Sequence, residues 1–116
     1  LRLARSASIP LARIILDPGI GFGKTPAQSL AVLARLEQLT IFGRPLLVGT
    51  SRKSVIGWLL NNRAVSERLL GTAASVAWAS WTGAAMVRVH DVAEMRDTLL
   101  VADRIRAAAD RSTKGP

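Results

Sequence analysis

Polar residues that could together form part of a site for an anionic ligand lie at the ends of three short apolar segments of the sequence. They are Asp17, Ser51, Lys53, Arg88 and His90. A carboxylate accepts two parallel hydrogen bonds, so Asp17 suits a flat heterocycle with adjacent N–H donors. The lysine offers a compact cation for a ring carbonyl or nitrogen. These residue types predict a site for a ligand that carries both a planar ring and negative charge.

Arg88 and His90 are the pair most suited to a phosphate. They are two residues apart in an apolar segment, so in a strand their side chains would lie on the same face. Arg88 stands between Val87 and Val89, where an unpaired buried charge would cost several kcal/mol. We therefore expect an anionic partner for Arg88, and together the two side chains would clamp a phosphate or pyrophosphate.

Each candidate also has a purely structural interpretation. Asp17 precedes Pro18-Gly19 and could serve only as a turn or cap residue. Lys53 could be an ordinary surface lysine, Arg88 a member of a structural ion pair, and His90 a helix-cap contact. The sequence alone leaves these alternatives open.

The run GIGFGK, residues 19–24, is the one glycine-rich loop near these candidates. It lacks the last glycine of GxGxxG, because Lys24 stands there, and the first glycine of GxxxxGK[ST], because Pro18 stands there. A Walker-type nucleotide site is therefore not expected. The glycines would let backbone approach a planar ligand, with Phe22 as an aromatic wall; alternatively Phe22 packs beneath the loop.

Three strand and helix pairs are predicted to position these side chains. The strands are 13–16, 46–48 and 88–90, and their unbroken apolar runs indicate a parallel sheet covered on both faces. A capping box at Thr25 starts the first helix, whose apolar stripe runs to Leu39 before Gly43. A short helix is expected at 55–60, an Ala-rich, largely buried helix from a Ser66 cap to about Gly83, and a last helix capped by Asp91 and Glu94. In parallel sheets, ligands bind at the carboxyl ends of the strands.

Composition excludes several classes of protein. The chain has 116 residues, of which 49% are hydrophobic, and this length allows one modest core. Cysteine is absent, so disulfides and thiolate chemistry are excluded. The absence of cysteine also fits a cytoplasmic protein. The sequence contains no run of about 20 apolar residues, so no membrane span is predicted. The net charge of +8 is spread along the chain, with no tyrosine and two phenylalanines. We therefore expect no nucleic-acid binding.

Four segments together resemble a known family. ILDPGIGFGKT, LLVGTSRKSVIG, ERLLGTAA and MVRVHDV, in this order, are similar to the C-terminal half of bacterial dihydropteroate synthase over about residues 9–106. The resemblance implies an α/β fold, namely part of a (β/α)8 TIM barrel comprising about strands six to eight with their helices. Residues 1–110 would be the C-terminal part of a pterin-binding domain, and residues 111–116 a frayed tail.

The resemblance also implies an activity. The family joins 6-hydroxymethyl-7,8-dihydropterin pyrophosphate to p-aminobenzoate, giving 7,8-dihydropteroate and pyrophosphate, and is the sulfonamide target. Asp17, Lys53 and Arg88 would act in catalysis. The implied binding residues are Asp17 and Lys53 at the pterin with Gly49 beneath it, Arg88 and His90 at the pyrophosphate, and Phe22 and Ser51 at p-aminobenzoate.

Part of the family's site has no counterpart in this sequence. The family uses Mg²⁺ on the leaving group, and its metal ligand is expected in an N-terminal half that is absent here, so no metal ligand is expected in this chain. The full-length enzyme is expected to be a cytoplasmic homodimer. The alternative is an inactive fragment, or a half-barrel that needs a partner chain.

Overall fold

Two short parallel strands and one bridging residue form the sheet in this computed structural model, which describes residues 1–112. Strand β1 spans Leu47–Val48 and strand β2 spans Met86–Val87, with Leu47 opposite Met86 and Val48 opposite Val87. On the other side of β1, Leu16 forms a parallel bridge to Leu46. The predicted parallel order of three segments is therefore present.

The strands are shorter than the sequence predicted. Residues 11–13 form a 3-10 helix, Leu11–Arg13, in place of the start of the first strand. Pro45 has no N–H to extend the ladder with Leu16, and contributes only its carbonyl. The third strand is predicted at 88–90, but β2 ends at Val87. The amide of His90, which could have continued the pairing with β1, donates instead to the Ser51 hydroxyl at 3.1 Å.

The helices surround this small sheet. The α-helices are α1 Arg2–Ser6, α2 Pro26–Leu33, α3 Ser54–Leu59, α4 Leu69–Trp81 and α5 Val92–Ser112. Further 3-10 helices span Leu36–Phe42 and Val65–Glu67. Within the described range, no helix has the length and apolarity needed to cross a membrane. The tail predicted at 111–116 lies, from residue 113 onward, outside the described residues.

The capping box at Thr25 is confirmed. The Gln28 amide donates to Thr25 Oγ1 at 3.1 Å, and the Thr25 amide donates to Gln28 Oε1 at 2.9 Å. The helix ends earlier than the apolar stripe suggested, and its last part continues as the 3-10 helix that stops at Gly43, where φ is +59°. Leu33 and Leu36 are nonetheless both buried.

The start of α4 differs from the prediction. Ser66 is not its cap, since it lies inside the 3-10 helix Val65–Glu67, and Arg68 occupies the N-cap position without a side-chain capping bond. The Arg68 guanidinium donates instead to the carbonyls of Arg63 and Arg52, both at 2.9 Å. The helix start is therefore anchored to the loop that follows β1.

Helix α4 buries one face rather than most of its surface. Thr72, Val76, Ala79 and Ser80 are buried, whereas Trp78 and Trp81 are about half exposed. A Cβ at Gly71 would collide with Ile56 of α3, so this glycine allows α4 to approach α3 closely. The core lies between α2, α3, α4 and β1, and contains Ile20, Leu33, Leu36, Val48, Val55, Ile56 and Ala79.

Candidate active site

A cavity of about 400 Å³ lies at the carboxyl ends of β1 and β2. Parallel strands open their following loops on one edge, which is why residues from two distant parts of the sequence meet there. The cavity is lined by Gly49, Ser51, Lys53, Arg88, Val89 and His90. Five residues that the sequence singled out are thus brought together.

Lys53 spans the gap between the β1 loop and the glycine-rich loop. Its ammonium donates to the Ile20 carbonyl and lies 4.5 Å from the centroid of the Phe22 ring. Burial lowers the pKa of Lys53; the nearby positive charges of Arg88 and Lys24 lower it further, while Asp17 opposes them. A ligand with negative charge would relieve this crowding of cations.

Hydrogen bonds from a lysine ammonium to backbone carbonyls also hold the glycine-rich loop together. Lys24 donates to the carbonyls of Gly19 and Phe22 at 3.0 and 3.2 Å. Gly21, at φ +79°, lies under the Lys53 stem, where a Cβ would be 3.1 Å from Lys53 Cδ. Phe22 does not pack beneath the loop, since it is 63% exposed. Its ring is available as a wall for a planar ligand.

Arg88 lies over Gly49. The guanidinium nitrogens would be 3.3 and 3.4 Å from a Cβ at that glycine, so any side chain there would displace Arg88. Arg88 is exposed, not buried, because β2 has ended one residue earlier. The anionic protein partner expected from the sequence is not found among residues 1–112. Arg88 lines the cavity, and its guanidinium donors have no protein partner within this range, so they are free to bind a ligand.

Ser51 and His90 contact each other across the two strand ends. Ser51 Oγ lies 2.7 Å from His90 Nδ1, and Ser51 is 5% exposed. The partner of His90 is therefore a serine hydroxyl rather than a helix cap. This hydroxyl is engaged within the protein.

The next residue along each loop forms a second link. Arg52, whose φ is +57°, donates from Nε and Nη2 to the two carboxylate oxygens of Asp91 at 3.1 and 2.5 Å. Hydrogen bonding from Arg52 lowers the pKa of Asp91, and the same bond raises the pKa of Arg52. The Arg52 amide also donates to Thr72 of α4 at 3.1 Å. The sequence interpretation took Asp91 as a helix cap and missed this pair, which no local spacing signals.

Asp17 lies at the edge of the site. Its carboxylate accepts the Gly19 amide at 2.8 Å, which is the turn contact that was the structural alternative. It is exposed and does not line the cavity, although it is near enough to Lys53 to affect that pKa. The second carboxylate oxygen accepts no hydrogen bond from residues 1–112.

The described residues do not suit a magnesium ion. Mg²⁺ prefers several oxygen ligands, whereas the polar side chains at the cavity are two cations, an imidazole and one hydroxyl. Within residues 1–112, no group of three or more histidine, aspartate or glutamate side chains is arranged to hold a metal.

Parallel strands that end at a cation-lined cavity, beside a glycine-rich loop, define an α/β protein with a candidate ligand site. The pterin binding enzyme family matches residues 1–90, and the chain belongs to this family. It is 48% identical to dihydropteroate synthase from Synechocystis sp. over 89% of its length, and 44% identical to that from Escherichia coli over 90%. It spans 36% of the length of each of these relatives.

The solved structures that this chain resembles are also dihydropteroate synthases. The chain is similar to the crystal structure of Yersinia pestis dihydropteroate synthase, with a TM-score of 0.87 and 40% identity, over 91% of this chain and 50% of that one. It is also similar to dihydropteroate synthase from Coxiella burnetii, with a TM-score of 0.87 and 35% identity, over 92% and 39% of the two chains. The fold and the sequence relationship therefore agree.

Proposed function

We propose that this chain carries part of the active site of a dihydropteroate synthase, a transferase of folate biosynthesis. The reaction would join 6-hydroxymethyl-7,8-dihydropterin pyrophosphate to p-aminobenzoate and release pyrophosphate. The observation that carries the proposal is the cavity in which Lys53, Arg88 and His90 converge. Membership of the pterin binding enzyme family supports it.

Arg88 and His90 are the proposed pyrophosphate ligands. Arg88 offers free guanidinium donors, and a departing pyrophosphate gains negative charge that preorganised donors stabilise. Both residues line the cavity. No covalent nucleophile is needed, which suits a chain without cysteine.

Lys53 and Asp17 are the proposed pterin ligands, with Gly49 beneath the ring. Asp17 retains one carboxylate oxygen for ring N–H donors, beside the ammonium of Lys53. Phe22 and Ser51 are the proposed walls of the p-aminobenzoate pocket. Of these two, Phe22 is exposed and ready to contact an aromatic ring, whereas the Ser51 hydroxyl contacts His90.

The names of related structures support these ligand classes. The Coxiella burnetii enzyme was solved in complex with pteroic acid, and that from Xanthomonas albilineans in complex with 7,8-dihydropteroate. The Yersinia pestis enzyme was solved with a sulfonamide drug. We extend the pterin, p-aminobenzoate and sulfonamide ligands to this chain as part of the proposal.

The wider architecture is proposed on the same basis. The strand and helix order fits about strands six to eight of a (β/α)8 barrel, in a cytoplasmic enzyme that works as a homodimer. Mg²⁺ would be held by residues other than those of this chain, because the cavity described above is lined by cations.

Isothermal titration with inorganic pyrophosphate tests the anion site. We expect binding by the wild-type chain, and a loss of roughly tenfold or more in Arg88→Ala, since a hydrogen bond to a charged group contributes about 1.5–3 kcal/mol. Arg104→Ala removes the same charge from an exposed position on α5 outside the cavity and is the matched control. Equal affinity of the wild type and Arg88→Ala would reject the site.

A second candidate is a binding-competent chain that turns over only with a partner chain. The cavity is built from residues on two strand ends and lacks a carboxylate set for a metal. We expect the purified 116-residue chain to bind pyrophosphate without forming dihydropteroate from the two substrates. Turnover by this chain alone would rule out the second candidate.

A further inference from the structure

The contact between Ser51 and His90 has a defined direction. Ser51 Oγ accepts the backbone N–H of His90 at 3.1 Å and lies 2.7 Å from Nδ1 of the same residue. Ser51 is 5% exposed, so water has little access to its hydroxyl. Within residues 1–112, both hydrogen bonds of this hydroxyl are thus with one histidine.

Counting hydrogens assigns the donor. A serine hydroxyl has one hydrogen and two lone pairs, and the backbone N–H of His90 already uses a lone pair. If Nδ1 also donated a hydrogen, the hydroxyl hydrogen would need a third partner, and none is present among residues 1–112. If the hydroxyl donates to Nδ1, the hydroxyl hydrogen, Nδ1 and the backbone N–H of His90 are all paired.

We infer that Ser51 is a positioning residue that holds neutral His90 in the tautomer with its hydrogen on Nε2. The ring nitrogen left to the cavity is then a donor. In the other tautomer Nε2 would present a lone pair and would repel an anionic ligand. The inference rests on the proposed function only in taking that ligand as pyrophosphate.

The Arg52–Asp91 pair maintains the spacing that this contact requires. Arg52 follows Ser51 and Asp91 follows His90, so the two-point ion pair joins the same two loops one residue further along. Arg52 is also bonded through its amide to Thr72 and through its carbonyl to Arg68. The loop that carries Ser51 is therefore held in place beside the loop that carries His90.

Nitrogen NMR tests the tautomer directly, because His90 is the only histidine in the chain. At a pH at which the imidazole is neutral, we expect the wild-type chain to show a protonated Nε2 and an unprotonated Nδ1 that accepts a hydrogen bond. Ser51→Ala should move the signals toward the mixture of a free imidazole, and Ser51→Thr, which keeps the hydroxyl, should restore them. A wild-type chain with its hydrogen on Nδ1, or with the free mixture, overturns the inference without any variant.

Pyrophosphate titration gives the functional readout. Loss of one ordinary hydrogen bond predicts a weakening of roughly two- to tenfold in Ser51→Ala, with recovery in Ser51→Thr. If Ser51→Ala binds as the wild type does, the positioning role is wrong. If the wild-type chain shows the Nε2 tautomer but binds no pyrophosphate, the tautomer assignment stands and the proposed function fails.

Discussion

Lys53 shows how the site depends on placing like charges close together. Its stem lies over Gly21, its ammonium contacts Phe22 and the Ile20 carbonyl, and Arg88 and Lys24 are near enough to lower its pKa. An anion entering the cavity would favour the charged lysine. Anion affinity and the protonation of Lys53 are therefore linked.

The expected pH dependence follows from this direction. As the pH rises through the lowered pKa of Lys53, the ammonium loses its charge and attracts an anion less. Pyrophosphate affinity should therefore begin to decrease at a pH below the range in which an ordinary lysine titrates. In Lys53→Arg the charge persists, and the affinity should hold over the same range. Titration calorimetry of both proteins at increasing pH checks this. Parallel curves for the two proteins would show that Lys53 is not the titrating group.

Asp91 provides a second prediction at the level of a residue. Arg52 lowers the pKa of Asp91 in the folded protein. The contribution of Asp91 to the free energy of unfolding is therefore complete above the pKa of an unfolded aspartate, about 4. It is lost as the pH falls through the lower pKa of the folded state. Asp91→Asn should therefore be less stable than the wild type near neutral pH, and the difference should vanish in acid. Urea unfolding at several pH values measures it. Asp97→Asn, at an exposed α5 position, is the control, and an equal loss there would contradict the specific pair.

At the scale of elements, the close contact between α3 and α4 depends on Gly71. A Cβ at this position would collide with Ile56, which is 4% exposed and cannot move outward easily. Gly71→Ala should lower the free energy of unfolding by about 1–3 kcal/mol, as overpacking does. Thermal and urea unfolding measure the change. The double variant Gly71→Ala with Ile56→Ala should show a smaller combined loss than the sum of the two single variants, and simple additivity would contradict the collision.

These elements also show what could be read from the sequence. The Thr25 cap, the αL stop at Gly43 and the parallel order were predictable because each depends on local chemistry or a long apolar run. The extent of β2, the start of α4 and the Arg52–Asp91 pair were not, because each is decided by a contact from a distant residue: Ser51 for β2, Arg52 for α4. Two of the four segments, LLVGTSRKSVIG and MVRVHDV, contain the residues that line the cavity, yet the role of Ser51 required the distance to His90.

The whole molecule is less compact than its length implies. Its radius of gyration is 15.7 Å, and its principal extents are 46 × 43 × 25 Å, whereas a compact domain of this length would have a radius of about 13 Å. Much apolar surface is consequently exposed. One such region, the α4–α5 groove, is lined by Ala74, Ala77, Trp78, Trp81, Ala102 and Ile105.

Self-association is the expected consequence of this exposed surface. Trp81 is 48% and Ile105 58% exposed in the same groove, and contiguous apolar patches on a protein surface promote association. The sedimentation coefficient of the purified chain should rise with concentration. Trp81→Glu and Ile105→Glu should each reduce the rise, because a charge buried at a contact would be costly. Leu3→Glu is the matched control, since Leu3 is 87% exposed on α1, outside the groove. A single monomeric boundary at high concentration would contradict self-association, and an equal effect of Leu3→Glu would place the contact elsewhere than in the groove.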